Sequence, residues 1–344
     1  MSNPPRRVLV FTGPTGSGKS DVGLELAEAL GAEIVSADSV QVYRHFDIGS
    51  AKPRPSELAR VPHHLISVLE PSESFSAGAF RTQAITCIDE ILARGKVPLI
   101  LGGPGLYIQA LLAGIVPTPT IDDAAKSQLQ ALEDQIRIES GNDEAQFRVA
   151  LHRLLVEADP EAGQRIEPGD LQRTRRALLV QYSGKIPLSA LQASHQYKDV
   201  QFSALVVGMF RDRVELYRRI DERTDRMMAD GFVPEVCSLL EQFGDMSPAL
   251  GSLGYRHVAR HLRGELDLPE CITEIQRDTR RFAKRQLTWW RNQPRKLGWE
   301  ILPEMHASGA PPEIACSLHE VTRSFLSRSG AFADEKVFFL PLSA

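Results

Sequence analysis

The stretch GPTGSGKS, Gly13 to Ser20, fits the pattern G-x-x-x-x-G-K-[ST] and lies between a short apolar run, Val8 to Thr12, and a helical pattern. Loops of this kind turn successive backbone N–H groups toward phosphate oxygens. Gly13, Pro14, Thr15, Gly16, Ser17 and Gly18 would form the cradle, Lys19 would neutralise phosphate charge, and Ser20 would offer a hydroxyl to Mg²⁺. The expected ligand is a diphosphate or triphosphate; the plainer alternative is a glycine-rich turn with no ligand.

Nucleotide-hydrolysing proteins with this loop also end an apolar strand in an acid that positions Mg²⁺. Here the third strand ends Ile100-Leu101-Gly102-Gly103-Pro104, without an acid. The acid follows the second strand instead, as Asp38 in IVSADSVQVYR, where it would project from the carboxyl edge of a sheet beside the loop. A carboxylate there can accept a proton from an incoming nucleophile. It can equally be a turn residue bonding its own backbone.

A third feature is local charge. From Arg277 to Lys296 (RDTRRFAKRQLTWWRNQPRK) eight Lys or Arg stand against one Asp. Arg277, Arg281, Lys284, Arg285 and Arg291 recur at helical spacing, so the run can track a phosphate backbone or simply be a solvated face. Trp289 and Trp290 can stack bases or fill the core. A smaller cluster, Arg173, Arg175 and Arg176 in GDLQRTRRALL, carries the same two readings.

These residues need elements to hold them. The first hundred residues alternate strand and helix patterns, which predicts an α/β fold: a parallel sheet with flanking helices. Lys19 to Leu30 is a helix ended by Gly31, Ser76 caps a helix through Leu92, and Ile34-Val35 and Val97 to Leu101 are strands. After Pro117 and Pro119 the chain is charged and helical for about 80 residues, with helices expected over 122–139, 143–158 and 169–182. ALVVGMF, Ala204 to Phe210, then returns to the sheet. The expected organisation is a catalytic core over 1–118, an all-helical insertion over 119–200, core completion over 201–302, and a tail over 303–344 of unknown role.

Length and composition bound the reading. At 344 residues the chain has a prior of roughly two domains. Forty basic against 44 acidic residues give a net charge of −4, which by itself suggests a small-molecule enzyme. There is no apolar run long enough to span a membrane and no signal-type N-terminus, so a cytoplasmic protein is expected. Cys87, Cys237, Cys271 and Cys316 lack metal-ligand spacing and are expected to be free core thiols.

GPTGSGKS, SADSVQVYRHFDIGSAKP (Ser36 to Pro53), VPHHLISVLEPSESFSAGAF (Val61 to Phe80), PLILGGPGLYIQALLAG (Pro98 to Gly114), LGYR (Leu253 to Arg256) and TRRFAKRQLTWWR (Thr279 to Arg291) together resemble the bacterial tRNA dimethylallyltransferases, in the same order, from about Val8 to Trp299. The resemblance implies a phosphate-loop fold and transfer of the dimethylallyl group of dimethylallyl diphosphate to N6 of adenosine 37 in tRNAs reading UNN codons, with Mg²⁺ and release of diphosphate. Asp38 would be the proton acceptor, and Lys19 with Arg223 of the R-I-x-x-R segment would stabilise the leaving diphosphate. The anticodon stem-loop would meet Asp38, Ser39, Val40, Gln41, Pro104, Lys126, Gln172, Arg173, Thr174, Arg175, Arg176, Gly254, Tyr255 and Arg256, with Arg281, Lys284 and Arg285 on the basic C-terminal helix.

Three positions depart from the family: Pro104 stands where relatives have Thr, Ala79 where an Asp is common, and Gly251 where a basic residue is frequent. The expected protein is a monomeric enzyme. A P-loop small-molecule kinase, a prenyltransferase of free AMP, and a catalytically weakened tRNA-binding homologue remain open alternatives.

Overall fold

The computed structural model describes residues 6–195, 201–245, 247–327 and 337–344. The chain divides into two compact units, Met1–Ala113 with Val200–Ala344, and Gly114–Asp199. The first begins with β1 (Arg7–Thr12), α1 (Lys19–Leu30), β2 (Ala32–Ala37), α2 (Pro55–Arg60), β3 (His63–His64), α3 (Ala77–Ala93), β4 (Val97–Gly102) and α4 (Gly105–Ala113). The second is helical: α5 (Asp123–Glu139), α6 (Glu144–Ala158), α7 (Pro160–Arg165), α8 (Leu171–Gly184) and α9 (Leu188–His195). The first unit resumes with β5 (Ser203–Phe210), α10 (Arg213–Ala229), α11 (Phe232–Phe243), α12 (Tyr255–Leu262), α13 (Leu268–Lys296), β6 (Glu300–Ile301), β7 (Met305–His306), α14 (Pro311–Leu326) and β8 (Val337–Ser343).

All strand pairings are parallel, and the order is β3-β2-β4-β1-β5-β8-β6, with β7 on β8. Every residue of β1 and β2 is buried, as helices on both faces of a parallel sheet require. The register puts Thr12 level with both Gly102 and Gly208, and Ala37 level with Gly102. Gly13, Asp38 and Gly103 therefore all leave the sheet at one level of its carboxyl edge, where open α/β sheets hold ligands.

Local chemistry sets the helix ends. Ser76, Asp122, Asp143 and Asp212 each accept a backbone N–H in the first turn of the helix they precede. Gly31 closes α1 in the left-handed region at φ 59°. The short helices α7 and α9 escape the sequence pattern because neither is long enough to show a helical period.

The segment after residue 303 is part of the core. It supplies β8, which lies between β5 and β6, and α14, whose Ile314, Leu318 and Phe325 pack in the same cluster as Val22 and Leu26 of α1. VFFLPLS carries Pro341, which lacks an N–H for a ladder bond, so the run reads poorly as an inner strand. The thiols also differ from expectation: Cys271 is buried, but Cys87 and Cys237 are only partly so, and Cys316 is exposed. Among the described residues no helix is long and apolar enough to cross a membrane.

Candidate functional site

The phosphate loop joins β1 to α1. Gly16 and Gly18 have φ of 83° and 88°, a region that side chains strain to enter. Gly13 is held by space: a Cβ there would lie 2.4 Å from the Met209 carbonyl oxygen. The loop thus fits against the end of β5, and Lys19 and Ser20 start α1.

Lys19 sits in desolvated surroundings. Burial pulls its ammonium down to about 8, the Arg223 guanidinium beside it acts in the same direction, and the Asp38 carboxylate partly offsets both. Arg223, on α10, is lowered by burial and raised by Asp38, and its Nη1 donates to Thr15 Oγ1 at 3.4 Å. Lys19, Arg223 and Asp38 come from three separate segments and interact electrostatically across one site. Two cations waiting on one carboxylate leave a net positive pocket, suited to an anionic ligand.

Asp38 combines the two roles that its position suggests. Its Oδ1 accepts the backbone N–H of Val40 at 2.8 Å and of Gln41 at 3.2 Å, fixing the turn after β2. Its Oδ2 makes no hydrogen bond among the described residues and is available to a proton. Gln41 braces the next turn: its Oε1 accepts from Ser36 Oγ, and its Nε2 donates to the carbonyl of Ala51 at 3.1 Å. Ser39 is exposed, with Val40 partly so. Pro104 heads α4, where a missing N–H costs nothing, and its carbonyl accepts from Tyr107 N at 3.0 Å.

Three residues that sequence reasoning missed brace the loop. Gln286 of α13, only 6 % exposed, accepts the backbone N–H of Thr15 through Oε1 at 2.9 Å. Arg219 Nε donates to Gly16 O at 3.0 Å, and Arg211 Nε donates to Ser17 O. Arg219 was within reach of the pattern, because it stands four residues before Arg223 on one face of α10. Nothing local marks Gln286, since its partner is 271 residues away.

The predicted RNA contacts divide by exposure. Arg256, Arg281, Lys284 and Arg285 are exposed in the first unit; Lys126, Gln172, Arg173 and Arg176 are exposed in the second. Asp278 gathers part of the basic run, pairing with Arg277, Arg281 and Arg256. Lys126 pairs with Asp123, and Arg176 donates to Thr118 Oγ1 at 2.7 Å.

Three of these side chains have partners or packing inside the protein. Tyr255 is fully buried, tilted on Phe46 with centroids 4.3 Å apart and donating to Glu235 at 2.8 Å; Gly254, which precedes it, is buried with φ 90°. Thr174 is also fully buried. Arg175 forms a two-bond pair with the buried Glu133 at 2.6 and 2.9 Å, an internal support of the helical unit. Of the paired tryptophans, Trp290 is core, stacked on Phe339 at 5.7 Å, and Trp289 covers Gly105.

A parallel sheet with a glycine-rich loop at the end of its central strand, two half-buried cations at that loop and a carboxylate interacting with them define a phosphate-loop α/β protein with a helical insertion. The family model described as IPP transferase matches residues 41–293, and one described as isopentenyl transferase matches residues 6–73. The chain belongs to the tRNA dimethylallyltransferase family, whose members are prenyl-transferring enzymes. It is 46% identical over 285 residues to tRNA dimethylallyltransferase 1 of Citrifermentans bemidjiense, covering 83% of this chain and 89% of that protein. It is 47% identical over 289 residues to tRNA dimethylallyltransferase of Syntrophobacter fumaroxidans, covering 83% and 81%.

Solved structures agree. The tRNA isopentenylpyrophosphate transferase of Bacillus halodurans is 33% identical with a TM-score of 0.59, covering 83% of this chain and 87% of that one. The corresponding protein of Staphylococcus epidermidis is 34% identical with a TM-score of 0.58, covering 84% and 91%. A eukaryotic dimethylallyltransferase acting on tRNA shares the fold at 23% identity, with a TM-score of 0.72 over 96% of this chain and 82% of that one.

Proposed function

We propose that the protein transfers the dimethylallyl group from dimethylallyl diphosphate to N6 of adenosine 37 in tRNAs reading UNN codons, releasing diphosphate. The observation that carries this reading is the meeting of Lys19, Arg223 and Asp38 at the carboxyl edge of the sheet, in a chain of this family. Breaking the allylic C–O bond builds negative charge on the diphosphate, which Lys19 and Arg223 at the phosphate loop would stabilise. The N6 amine is a weak nucleophile that must lose a proton, for which the unoccupied Oδ2 of Asp38 is the acceptor. The base has to leave its stack to reach the site, and the segment Asp38 to Gln41, pinned by its own turn, would hold it out.

Mg²⁺ fits this site in a limited way. Among the described residues no group of three His, Cys, Asp or Glu could hold a metal ion. Ser20, exposed at the first turn of α1, offers one hard oxygen, which suits an ion that takes its other ligands from phosphates and water. Bound there, Mg²⁺ would neutralise charge on the leaving diphosphate.

The exposed Arg173, Arg176, Arg256, Arg281, Lys284 and Arg285 support contact with the anticodon stem-loop. A cytoplasmic monomer accords with this reading. The test is incubation with dimethylallyl diphosphate, Mg²⁺ and unmodified tRNA carrying A36-A37-A38, followed by nucleoside analysis. N6-isopentenyladenosine is expected; its absence alongside kinase or ATP-hydrolysing activity would replace the reading with that of a small-molecule kinase.

A further inference from the structure

A second concave site lies at the carboxyl ends of β5 and β8, where Phe210 and Ser343 stand level in the sheet. The cavity has a volume of about 440 Å³, within the range of small-molecule sites. Arg211, Arg291 and Arg295 line it, together with Phe210, Trp290 and Phe339. None of the three arginines forms an ion pair within 4 Å among the described residues, although Glu215 and Asp21 act on Arg211 from farther away. The two acids in the wall are already engaged: Asp212 Oδ1 accepts the backbone N–H groups of Val214 and Glu215, and Glu304 accepts from Ser343 Oγ.

Three guanidiniums against the two carboxylates of Asp212 and Glu304 leave the wall net positive, which favours an anion, and a diphosphate is the compact group that engages several arginines at once. The aromatic wall calls for an organic part. Arg211 connects the cavity to the catalytic loop, because its Nε donates to Ser17 O while its remaining N–H groups make no hydrogen bond among the described residues. Arg295, Ile301 and the β8 residues in this wall lie beyond residues 41–293, the segment that matches the IPP transferase family, whereas Phe210, Arg211, Trp290 and Arg291 lie within it. The cavity is therefore built jointly by that common segment and the part of the chain that follows it.

We propose that this cavity is an accessory site for an organic diphosphate, held by Arg211, Arg291 and Arg295 against the aromatic wall and coupled through Arg211 to the phosphate loop. The ligand is either a prenyl or a nucleoside diphosphate, and the experiment separates the two. Protein carrying Lys19→Ala, which disables the phosphate loop, is titrated calorimetrically with dimethylallyl diphosphate, ADP and inorganic diphosphate.

One binding event is expected to survive Lys19→Ala for an organic diphosphate, and the tighter of the two identifies the source. Adding Arg291→Ala and Arg295→Ala should weaken that event about tenfold or more. Both arginines are exposed, and unchanged thermal melting of the variant establishes that it is folded. The proposal is overturned if Lys19→Ala abolishes all binding, if the arginine changes leave the affinity unaltered, or if inorganic diphosphate binds as tightly as the organic ones. Because the readout is binding to a protein without a working phosphate loop, it stands or falls apart from the transferase assay.

Discussion

The side-chain oxygen of Gln286 accepts the backbone N–H of Thr15 at 2.9 Å, joining the basic helix α13 to the phosphate loop across 271 residues of chain. The Thr15 N–H is thereby committed to a protein acceptor, as the Ser17 N–H is to the Pro14 carbonyl at 3.2 Å. The same amide explains Gly103, where a Cβ would lie 2.6 Å from Gln286 Nε2. Replacing Gln286 by Leu leaves the Thr15 N–H without its acceptor, at a cost of about 1–3 kcal/mol. The expected result is a raised KM for dimethylallyl diphosphate with little change in tRNA Kd, measured by steady-state kinetics and filter binding. Equal losses in both would mean that Gln286 supports the fold at large.

Asp38→Asn tests the proton acceptor without dismantling the turn. An Asn side-chain oxygen can still accept from Val40 and Gln41, whereas the basic Oδ2 is lost. Turnover should fall by roughly 10²–10⁴-fold, the usual scale of general-base catalysis, with tRNA affinity nearly kept. Unchanged turnover would remove Asp38 from the base role.

Lys19 predicts a pH signature. Its folded value is about 8 against 10.5 for an ordinary lysine in water, so between those values the unfolded chain binds the extra proton. Stability of the ligand-free protein should therefore rise as pH increases from about 8 to 10.5, and the penalty of burying the charged form is fully present below 8. A bound diphosphate favours the ammonium, so binding near pH 8 should take up protons. Calorimetry in buffers of different ionisation enthalpy measures this directly, and Lys19→Met should abolish the uptake.

Arg173 and Arg175 are separated by two positions and should behave differently. Arg173 is exposed, and its change to Ala should weaken tRNA binding and reduce the slope of log K against log salt by about 1. Arg175 covers the carboxylate of Glu133, whose side chain is 9% exposed. Its change to Ala should chiefly lower the melting temperature, since a nearly buried carboxylate is left without its partner. If Arg175→Ala instead reproduces the salt-slope change at unaltered stability, the ion pair is not its main role.

Phe339 of β8 tests whether the C-terminal strand is structural. It is 4% exposed and lies parallel to Trp290. Phe339→Ala should cost about 3–5 kcal/mol, read from the denaturation midpoint. A loss below about 1 kcal/mol would show that the site relaxes around the missing ring.

What could be read from the amino-acid order alone was what depends on neighbours in the chain. The glycine spacing of the phosphate loop, the cap at Ser76 and the strand-helix alternation all rest on interactions spanning a few residues, and they appear in the structure where those residues stand. The candidate base was legible too, because Asp38 follows a strand by one residue. Exposure and long-range pairing were not legible. Local pattern carries no term for a partner 42 residues away, as Glu133 is for Arg175, or 271 away, as Thr15 is for Gln286. Tyr255 looks like a surface aromatic in a basic segment until Phe46, Phe232 and Glu235 close around it. Only the folded chain decides which of several arginines keeps its charge for a ligand, since burial and ion pairing are set by residues that the sequence holds far apart.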